Sequence, residues 1–146
     1  MMTFEPHPQA EKRKSSTVTL IKVLLGNKKP EVLPAHYRAV LNTLLWKMTE
    51  AESHKYKTRF QSQGAIEGID KGKLRHDHVY QRSRMIDELL QAKPEELDGI
   101  LKNAIGCTVT IEEHSRLVPF DHEYGWNRYR KAGIVVVDTE SGERVI

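Results

Sequence analysis

The fold is decided by the stretch CTVTIEEHSRL, residues 107–117, in which an extended pattern gives way to a helical one. Residues 107–110 alternate as a short strand does. Thr110 and Glu113 then form the Thr-x-x-Glu pattern of a capping box, whose two side chains satisfy backbone N–H groups at the start of a helix that runs to Leu117. A short strand that leads directly into a helix predicts a chain of the α+β class.

Helices are predicted over much of the chain before this stretch. Apolar residues recur at spacings of three and four, as they do where one helix face packs against a core. Pro34 and Pro94 suit first helical positions, because the N–H that proline lacks has no partner there. Glycines follow the apolar runs, as is typical where a helix ends. These signals predict helices over residues 34–49, 80–91 and 94–105, while the run over 17–26 fits a strand or a short helix and Gly26 favours the helix.

The chain after this stretch combines one more helix with extended segments. Asp121 suits the cap of a helix over residues 122–132, which ends at Gly133. A β-branched run at 134–137 and a Ser-Gly-Glu turn then predict a C-terminal hairpin. The expected α+β architecture therefore has N-terminal helices, a central helical pair and a small antiparallel sheet that ends in this hairpin.

The composition limits the class of protein. The 146 residues suit one domain, which we expect over 16–146, while the mostly polar residues 1–15 predict a disordered tail. The lone Cys107 excludes a disulfide framework and a four-cysteine zinc site, and it predicts a reducing cytoplasm. No apolar run approaches the ~20 residues of a membrane span, and no signal-peptide pattern opens the chain. We expect a soluble cytoplasmic protein without a membrane partner.

Positive charge is concentrated in one segment. The whole chain carries a formal charge of +3, but residues 54–84 hold eight lysines and arginines against three acidic residues, together with three histidines. Arginine and lysine donate charge-assisted hydrogen bonds to phosphate oxygens. The segment therefore predicts a phosphate-binding surface, and the alternative is a solvated basic loop.

The run RHDHV inside that segment is a candidate for metal chemistry. If it is a strand, His76 and His78 point to one face and Asp77 to the other. Such His-x-His pairs occur in metal-dependent nucleases of the His-Asn-His type, in which a histidine activates water and a metal ion steadies the phosphate. Asn103 and His114 are the available further members. The alternative is a polar strand with two surface histidines.

Two helices carry arginines that can reach a ligand. Arg82 lies at the start of the helix over 80–91, where backbone N–H groups favour an anion. Trp126 and Arg128 belong to the run WNRYR, in which an aromatic ring can stack on a base and a guanidinium can bind a phosphate. The alternative is that Trp126 and Tyr129 anchor their helix to the sheet while its arginines face water.

Four stretches together resemble the phage Thoeris anti-defence sponge proteins: KYKTRFQSQGA (55–65), LRHDHVYQR (74–82), CTVTIEEHSRL (107–117) and GWNRYRKAGIVVVD (125–138). The resemblance implies a small α+β protein that binds a cyclic ADP-ribose signal and holds it without cleaving it. It also implies a homo-oligomer with pockets at subunit interfaces, arginines on the phosphates, stacking on the adenine ring and, in some members, a second site for cyclic oligonucleotides. The N-terminal extension departs from the family pattern.

Two arginines carry this resemblance over to the present chain. Arg128 matches the arginine of the C-terminal stretch, and Arg82 follows the histidine strand as the family implies. The function expected is then non-enzymatic sequestration of a cyclic nucleotide immune signal, which would counteract anti-phage defence. It needs no cofactor, and its partner is a small molecule rather than nucleic acid. The predicted ligand-binding residues are Arg59, His78, Tyr80, Arg82, Trp126 and Arg128.

Two other functions remain open at this point. The first is a metal-dependent His-Asn-His-like nuclease with Asp77 in its centre and with the metal ligands His76, His78 and His114. The second is an accessory protein that binds DNA or a protein partner, for which strongly salt-dependent binding to duplex DNA is the diagnostic property.

Overall fold

Helices and short strands alternate along the chain in the computed structural model, which describes residues 4–68 and 73–146. The helices of those residues are α1 (Ala10–Gly26), α2 (Pro34–Glu50), α3 (Gln63–Glu67), α4 (Arg82–Gln91), α5 (Leu97–Leu101), α6 (Ile111–Leu117) and α7 (Trp126–Ala132). The strands are β1 (Phe60–Ser62), β2 (Leu74–His78), β3 (Gly106–Thr110) and β4 (Val136–Asp138). The α+β class expected from the sequence is confirmed.

The long helices α1 and α2 pack with α4 and α5 around one apolar cluster. All four helices contribute buried side chains to it, among them Ile21, Leu41 and Met85. The periodic apolar runs therefore form helices that share a core, as their spacing indicates. No helix of the described residues is both long and apolar enough to cross a lipid bilayer.

The strands form one mixed sheet in the order β2-β3-β1-β4. β1 runs parallel to β3, with Phe60 opposite Cys107, whereas the β2–β3 and β1–β4 pairs are antiparallel. The expected antiparallel sheet is corrected on this point, because β1 has only three residues within a polar segment and shows no readable alternation. The expected C-terminal hairpin is present, since the Val145 N–H donates to the Val136 carbonyl across a turn that contains Gly142.

A second apolar cluster joins the sheet to α6 and α7. Tyr129 of α7 is fully buried there with Val109 and Val136 from the sheet and Leu117 from α6. The edge strand β2 touches both parts of the molecule, because its alternate side chains point toward α2 on one side and toward α7 on the other. The position of β2 between two packed units is what creates the site described below.

β2 and β3 are neighbours in the sheet although residues 79–105 separate them in the chain. This intervening segment holds α4 and α5, and the Val79 N–H donates to the Ile105 carbonyl where the segment leaves and rejoins the sheet. β3 then leads into α6 through the predicted capping box. Thr110 Oγ1 accepts from the Glu113 N–H at 3.1 Å, and Glu113 Oε1 accepts from the Thr110 N–H at 2.8 Å. β2, β3 and α6 therefore form one strand-strand-helix unit.

The predicted disordered tail over residues 1–15 is corrected from Phe4 onward. The Phe4 N–H donates to the Thr139 carbonyl, and α1 already begins at Ala10. The segment is too polar to be ordered by burial of apolar side chains. Backbone hydrogen bonds and the docked helix order it instead. Residues 1–3 lie outside the described residues.

The helices predicted over 94–105 and 122–132 are shorter than expected. The first of them opens as a 3-10 turn, and α5 ends at Leu101. The second begins only after Gly125, whose φ of 72° is incompatible with a continuing helix, so Asp121 does not cap it. Single cap-like residues in the sequence therefore predicted these two helix boundaries less accurately than the capping box predicted the start of α6.

We predict that Gly106→Ala destabilises the protein through the histidine strand. A Cβ on Gly106 would lie 2.5 Å from the His76 Cε1 atom on the paired strand, and Thr49 holds that imidazole in place. Overpacking of this kind costs about 1 to 3 kcal/mol of unfolding free energy. Urea denaturation followed by tryptophan fluorescence measures the loss.

The matched control is Gly99→Ala. Gly99 lies inside α5, and a Cβ there meets no atom within 4 Å. Helix propensity makes this change neutral or stabilising by up to about 1 kcal/mol. Equal stability of the two variants would contradict the proposed contact between Gly106 and His76.

Candidate functional site

A large group of charged and aromatic side chains lines a cavity of about 750 Å³ beside β2, here called the β2 pocket. It opens at this strand because β2 is the edge of the sheet and has a neighbour on one side only. Residues of α2, α4, α6 and α7 complete its wall. The polar and aromatic lining includes Arg38, Asn42, Trp46, His76, Asp77, His78, Gln81, Arg82, Arg84, His114, Asp121 and Arg128.

His76 and His78 lie on the same side of β2, as the sequence predicts for a strand. Both Nε2 atoms contact the hydroxyl of Thr49 on α2, at 3.0 Å for His76 and 2.9 Å for His78. The indole of Trp46 packs against the two imidazoles, edge-on to His78 with ring centroids 4.4 Å apart. A hydroxyl has one proton, so at least one imidazole donates its Nε2–H to Thr49.

Both imidazoles are neutral at pH 7. Burial lowers the pKa of His76 to about 4, with a further contribution from the charge of Arg82. Burial also lowers the pKa of His78 to about 3, assisted by His76 and Arg82. Neutral imidazoles retain a nitrogen lone pair, which can accept a proton or a hydrogen bond from a ligand.

Asp77 points to the opposite side of β2 and is buried against α7. Its Oδ2 atom accepts hydrogen bonds from Arg128 Nη2 and from the Tyr129 hydroxyl, both at 2.5 Å. Its Oδ1 atom faces His114 Nε2 of α6 at 3.8 Å. Desolvation raises the pKa of Asp77, while Arg128 and Tyr129 oppose that change. One carboxylate oxygen is thus fully engaged, and the other is directed toward a half-exposed histidine.

Positive charge without a carboxylate partner lines the rim of the pocket. The Arg82 guanidinium lies 4.6 Å from the Trp46 ring centroid and donates to Asn42 Oδ1 at 2.8 Å. Arg84 lies over the ring of Tyr124. Neither arginine forms an ion pair with a described residue, whereas Arg38 is paired with an aspartate. Arg82 and Arg84 are therefore available to an anion.

Two buried polar atoms of pocket residues also lack partners among the described residues. They are Arg128 Nε, a donor, and Gln81 Oε1, an acceptor. Arg128 is only 3% exposed, so water does not readily replace a missing hydrogen bond at that residue. Orphaned buried groups of this kind are expected where a ligand completes the site.

The predicted ligand-binding residues do not all meet at this pocket. His78, Arg82 and Arg128 line it, but three others lie outside its lining. Arg59 forms a two-pronged ion pair with Asp138 of β4, with N–O distances of 2.9 and 2.6 Å. The charge of Arg59 is thus already neutralised by Asp138 of β4. The pairing of β4 with β1, which brings these two residues together, was not readable from the sequence.

The two predicted stacking residues also lie outside this lining and pack within the protein. Trp126 lies between Phe60 and Tyr129, with ring centroids 5.4 and 5.2 Å away, which is the anchoring role considered as its alternative. Tyr80 packs edge-on against Tyr124. The aromatic residue that does line the pocket is Trp46.

The alternative metal ligands His76, His78 and His114 all line the β2 pocket. They approach it from different sides, however, because His76 and His78 face α2 while His114 faces Asp77. Among the described residues, no group of three or more histidines, cysteines and acidic residues is arranged to hold a metal ion. The three-histidine ligand set is therefore corrected, and Asp77 and His114 are candidate donors that face each other at 3.8 Å. Asn103 lines a separate cavity.

Sequence reasoning missed the contribution of α2. The apolar stripe of this helix was correctly interpreted as core, but Trp46 and Thr49 at its margin were not weighed as site residues. Their three-residue spacing, which places both on one helix face, was the available signal.

Comparisons with protein-family models, with curated proteins and with solved structures found no match to this chain. A function for the chain must therefore be argued from the geometry of the β2 pocket.

We predict that Thr49→Val destabilises the protein although the two side chains have the same shape. The substitution leaves two buried imidazole Nε2 atoms without their hydroxyl partner. An unsatisfied buried polar group costs about 1 to 3 kcal/mol of unfolding free energy. Urea denaturation gives the change.

Thr43→Val is the matched control on the same helix. The exposed Thr43 hydroxyl bonds only the Ala39 carbonyl one turn earlier, so we expect a change within about 0.5 kcal/mol. A Thr49→Val variant as stable as Thr43→Val would contradict the role of the hydroxyl between the histidines.

We predict that Arg59 contributes pH-dependent stability through Asp138. The hydrogen bond from Arg59 holds the pKa of Asp138 below its ordinary value. Stability from this pair is therefore present above about pH 4 and is lost as the pH falls through the lowered pKa. Arg59→Gln should cost about 1 kcal/mol at pH 6, and this deficit relative to the wild type should shrink toward pH 3.

Urea denaturation of both proteins between pH 3 and pH 7 measures this deficit. Arg130→Gln is the control, because Arg130 is exposed and contacts only the Asn127 amide oxygen. A deficit of Arg59→Gln that is constant over this pH range would show that Asp138 is not the group responsible.

Proposed function

We propose that this chain is a metal-dependent nuclease that acts in the cytoplasm, with its centre at Asp77 and His114; Asn103 of the expected His-Asn-His pattern lines a separate cavity and does not belong to it. The observation that carries the proposal is the approach of Asp77 Oδ1 to His114 Nε2 at 3.8 Å within the β2–β3–α6 unit, at the edge of a cationic pocket. A carboxylate and an imidazole that converge beside unpaired arginines suit phosphodiester chemistry better than they suit simple binding.

The long separation of these residues in sequence does not count against the proposal. His78 ends β2, and His114 lies in the helix that follows β3, so the two strands and α6 bring them to one pocket. Between them, α4 and α5 pack into the helical cluster. Sequence spacing alone therefore understated how closely these residues are associated.

The two donors fit a hard divalent cation. Mg²⁺ and Mn²⁺ keep several water ligands and need few protein ligands besides phosphate oxygens, and Mn²⁺ also accepts imidazole. Asp77 Oδ1 and His114 Nε2 would hold such an ion, which when bound would neutralise charge on the phosphate. Arg128 and Tyr129 hold the other oxygen of Asp77 and so fix the direction of the carboxylate.

The other pocket residues supply phosphate binding. Arg82 would bind the phosphate, because it is a partly buried cation without a carboxylate partner among the described residues. His78 would line the phosphate site beside Arg82, on the face of β2 opposite Asp77, with its Nε2 atom held by the Thr49 hydroxyl.

Sequestration of a cyclic nucleotide is the second candidate. The supporting observation is that His78, Arg82 and Arg128 line one cavity of about 750 Å³, a volume typical of small-molecule sites. Under this proposal a homo-oligomer binds a cyclic ADP-ribose signal and releases it unchanged. The two candidates share the arginines and differ in whether a phosphodiester bond is broken.

We predict metal-dependent cleavage that His114→Ala abolishes. Plasmid DNA and a labelled single-stranded oligonucleotide are incubated with the protein and with Mg²⁺, Mn²⁺ or Ni²⁺. His114→Ala should lower the cleavage rate at least about 100-fold, since it removes a metal donor. His36→Ala, which changes an exposed histidine of α2, should retain the wild-type rate.

Calorimetric titration of Mn²⁺ gives an independent measurement. Wild-type protein should bind the ion, and His114→Ala should bind it at least tenfold more weakly. Absence of cleavage with every metal would exclude the nuclease. Tight binding of a cyclic ADP-ribose isomer that is recovered intact after heat denaturation would then favour sequestration.

A further inference from the structure

A second cavity of about 780 Å³ adjoins the β2 pocket. We call it the flanking pocket, and its polar lining includes Arg13 of α1, Lys55 and Tyr56 of the α2–β1 connection, and Arg75 of β2. Trp46 and His76 line both cavities. The two pockets thus lie on either side of one shared wall, along the same edge strand.

The flanking pocket is also cationic. Arg13, Lys55 and Arg75 form no ion pair with a described residue. Arg13 and Arg75 instead donate to backbone carbonyls, at 3.2 and 2.9 Å. Glu50 is the one acidic side chain in the described lining. Arginine and lysine side chains without carboxylate partners therefore line both the β2 pocket and the flanking pocket.

Tyr56 has an unusual backbone conformation in this pocket. Among the described residues it is the one non-glycine residue with a positive φ, at 61°. A left-handed conformation is unfavourable for an L-residue with a bulky side chain. Strain of this kind is concentrated at binding sites, where it holds a side chain in a particular direction. Here it holds a half-buried phenol ring in the pocket wall, with the Lys55 ammonium 4.9 Å from the ring centroid.

We propose that the flanking pocket binds the nucleotide next to the scissile phosphate of a single-stranded nucleic acid. Tyr56 stacks on the unpaired base, and Arg75 and Lys55 contact the neighbouring phosphates. A cationic groove with an aromatic ring in its wall is the combination that binds single strands without reading their sequence. A base paired within a duplex is stacked on its own neighbours and has no free face for Tyr56. This assignment rests on the nuclease function proposed above.

Binding is measured without cleavage, in EDTA, by fluorescence anisotropy of a labelled 12-nucleotide thymidine strand and of a 12-base-pair duplex. Wild-type protein should prefer the single strand. Tyr56→Ala should weaken that binding about 5- to 100-fold, the range for loss of one stacked base. Tyr56→Phe, which keeps the ring, should bind as the wild type does.

A second variant tests the electrostatic part and does not depend on Tyr56. Arg75 is exposed, so Arg75→Gln should fold normally, weaken binding at low salt and reduce the dependence of affinity on salt concentration. Lys57→Gln is the matched control, because Lys57 is exposed on the same connection but does not line the pocket. It should leave binding within about twofold of the wild type. Thermal melting confirms that each variant is folded.

The outcomes separate this inference from the nuclease proposal. Cleavage of bis(p-nitrophenyl) phosphate, which is too small to reach the flanking pocket, should be lost in His114→Ala and retained in Tyr56→Ala. Cleavage by the wild type together with unchanged strand binding by Tyr56→Ala would overturn the flanking site alone. Equal binding of duplex and single strand, unaffected by Tyr56→Ala, would also overturn it and would indicate a duplex surface. If the wild-type protein cleaves no substrate, the proposed nuclease function is wrong.

Discussion

The buried ion pair between Asp77 and Arg128 is the interaction on which the rest of the site depends. It joins the edge strand to α7 across the second apolar cluster, and both side chains are less than one-tenth exposed. Two charges buried together are costly to desolvate, and removal of either one leaves an uncompensated charge, which typically costs about 3 to 5 kcal/mol. Because Arg128 and Tyr129 occupy one oxygen of Asp77, the other oxygen can face only the pocket and His114.

The alternation of side chains along one edge strand explains why two different environments meet at β2. Asp77 points toward α6 and α7. Its neighbours His76 and His78 point to the opposite side of the strand, where the Thr49 hydroxyl and the Trp46 ring hold them. β2 has no neighbouring strand on its outer side, so both environments open onto the β2 pocket.

Local signals in the sequence predicted the fold class and several elements, but not the site as a whole. The capping box of α6 and the apolar spacing of α2 depend on residues close together in the chain, so both were readable. The parallel pairing of β1 and the ion pair of Arg59 with Asp138 depend on distant partners, which no local pattern records. The alternation around Asp77 was predicted correctly, whereas its closeness to His114 required the pairing of β2 with β3.

The helical segment inserted between β2 and β3 has a consequence for folding. Pairing these strands requires closure of a long stretch of chain, and non-local pairings of this kind form late because the entropy of closure must first be overcome. The stretch gains order of its own when α4 and α5 dock on α1 and α2, which brings the two strand ends together. Asp77 and His114 are therefore brought together by the pairing of β2 with β3, whose ends are connected through the docked helices α4 and α5.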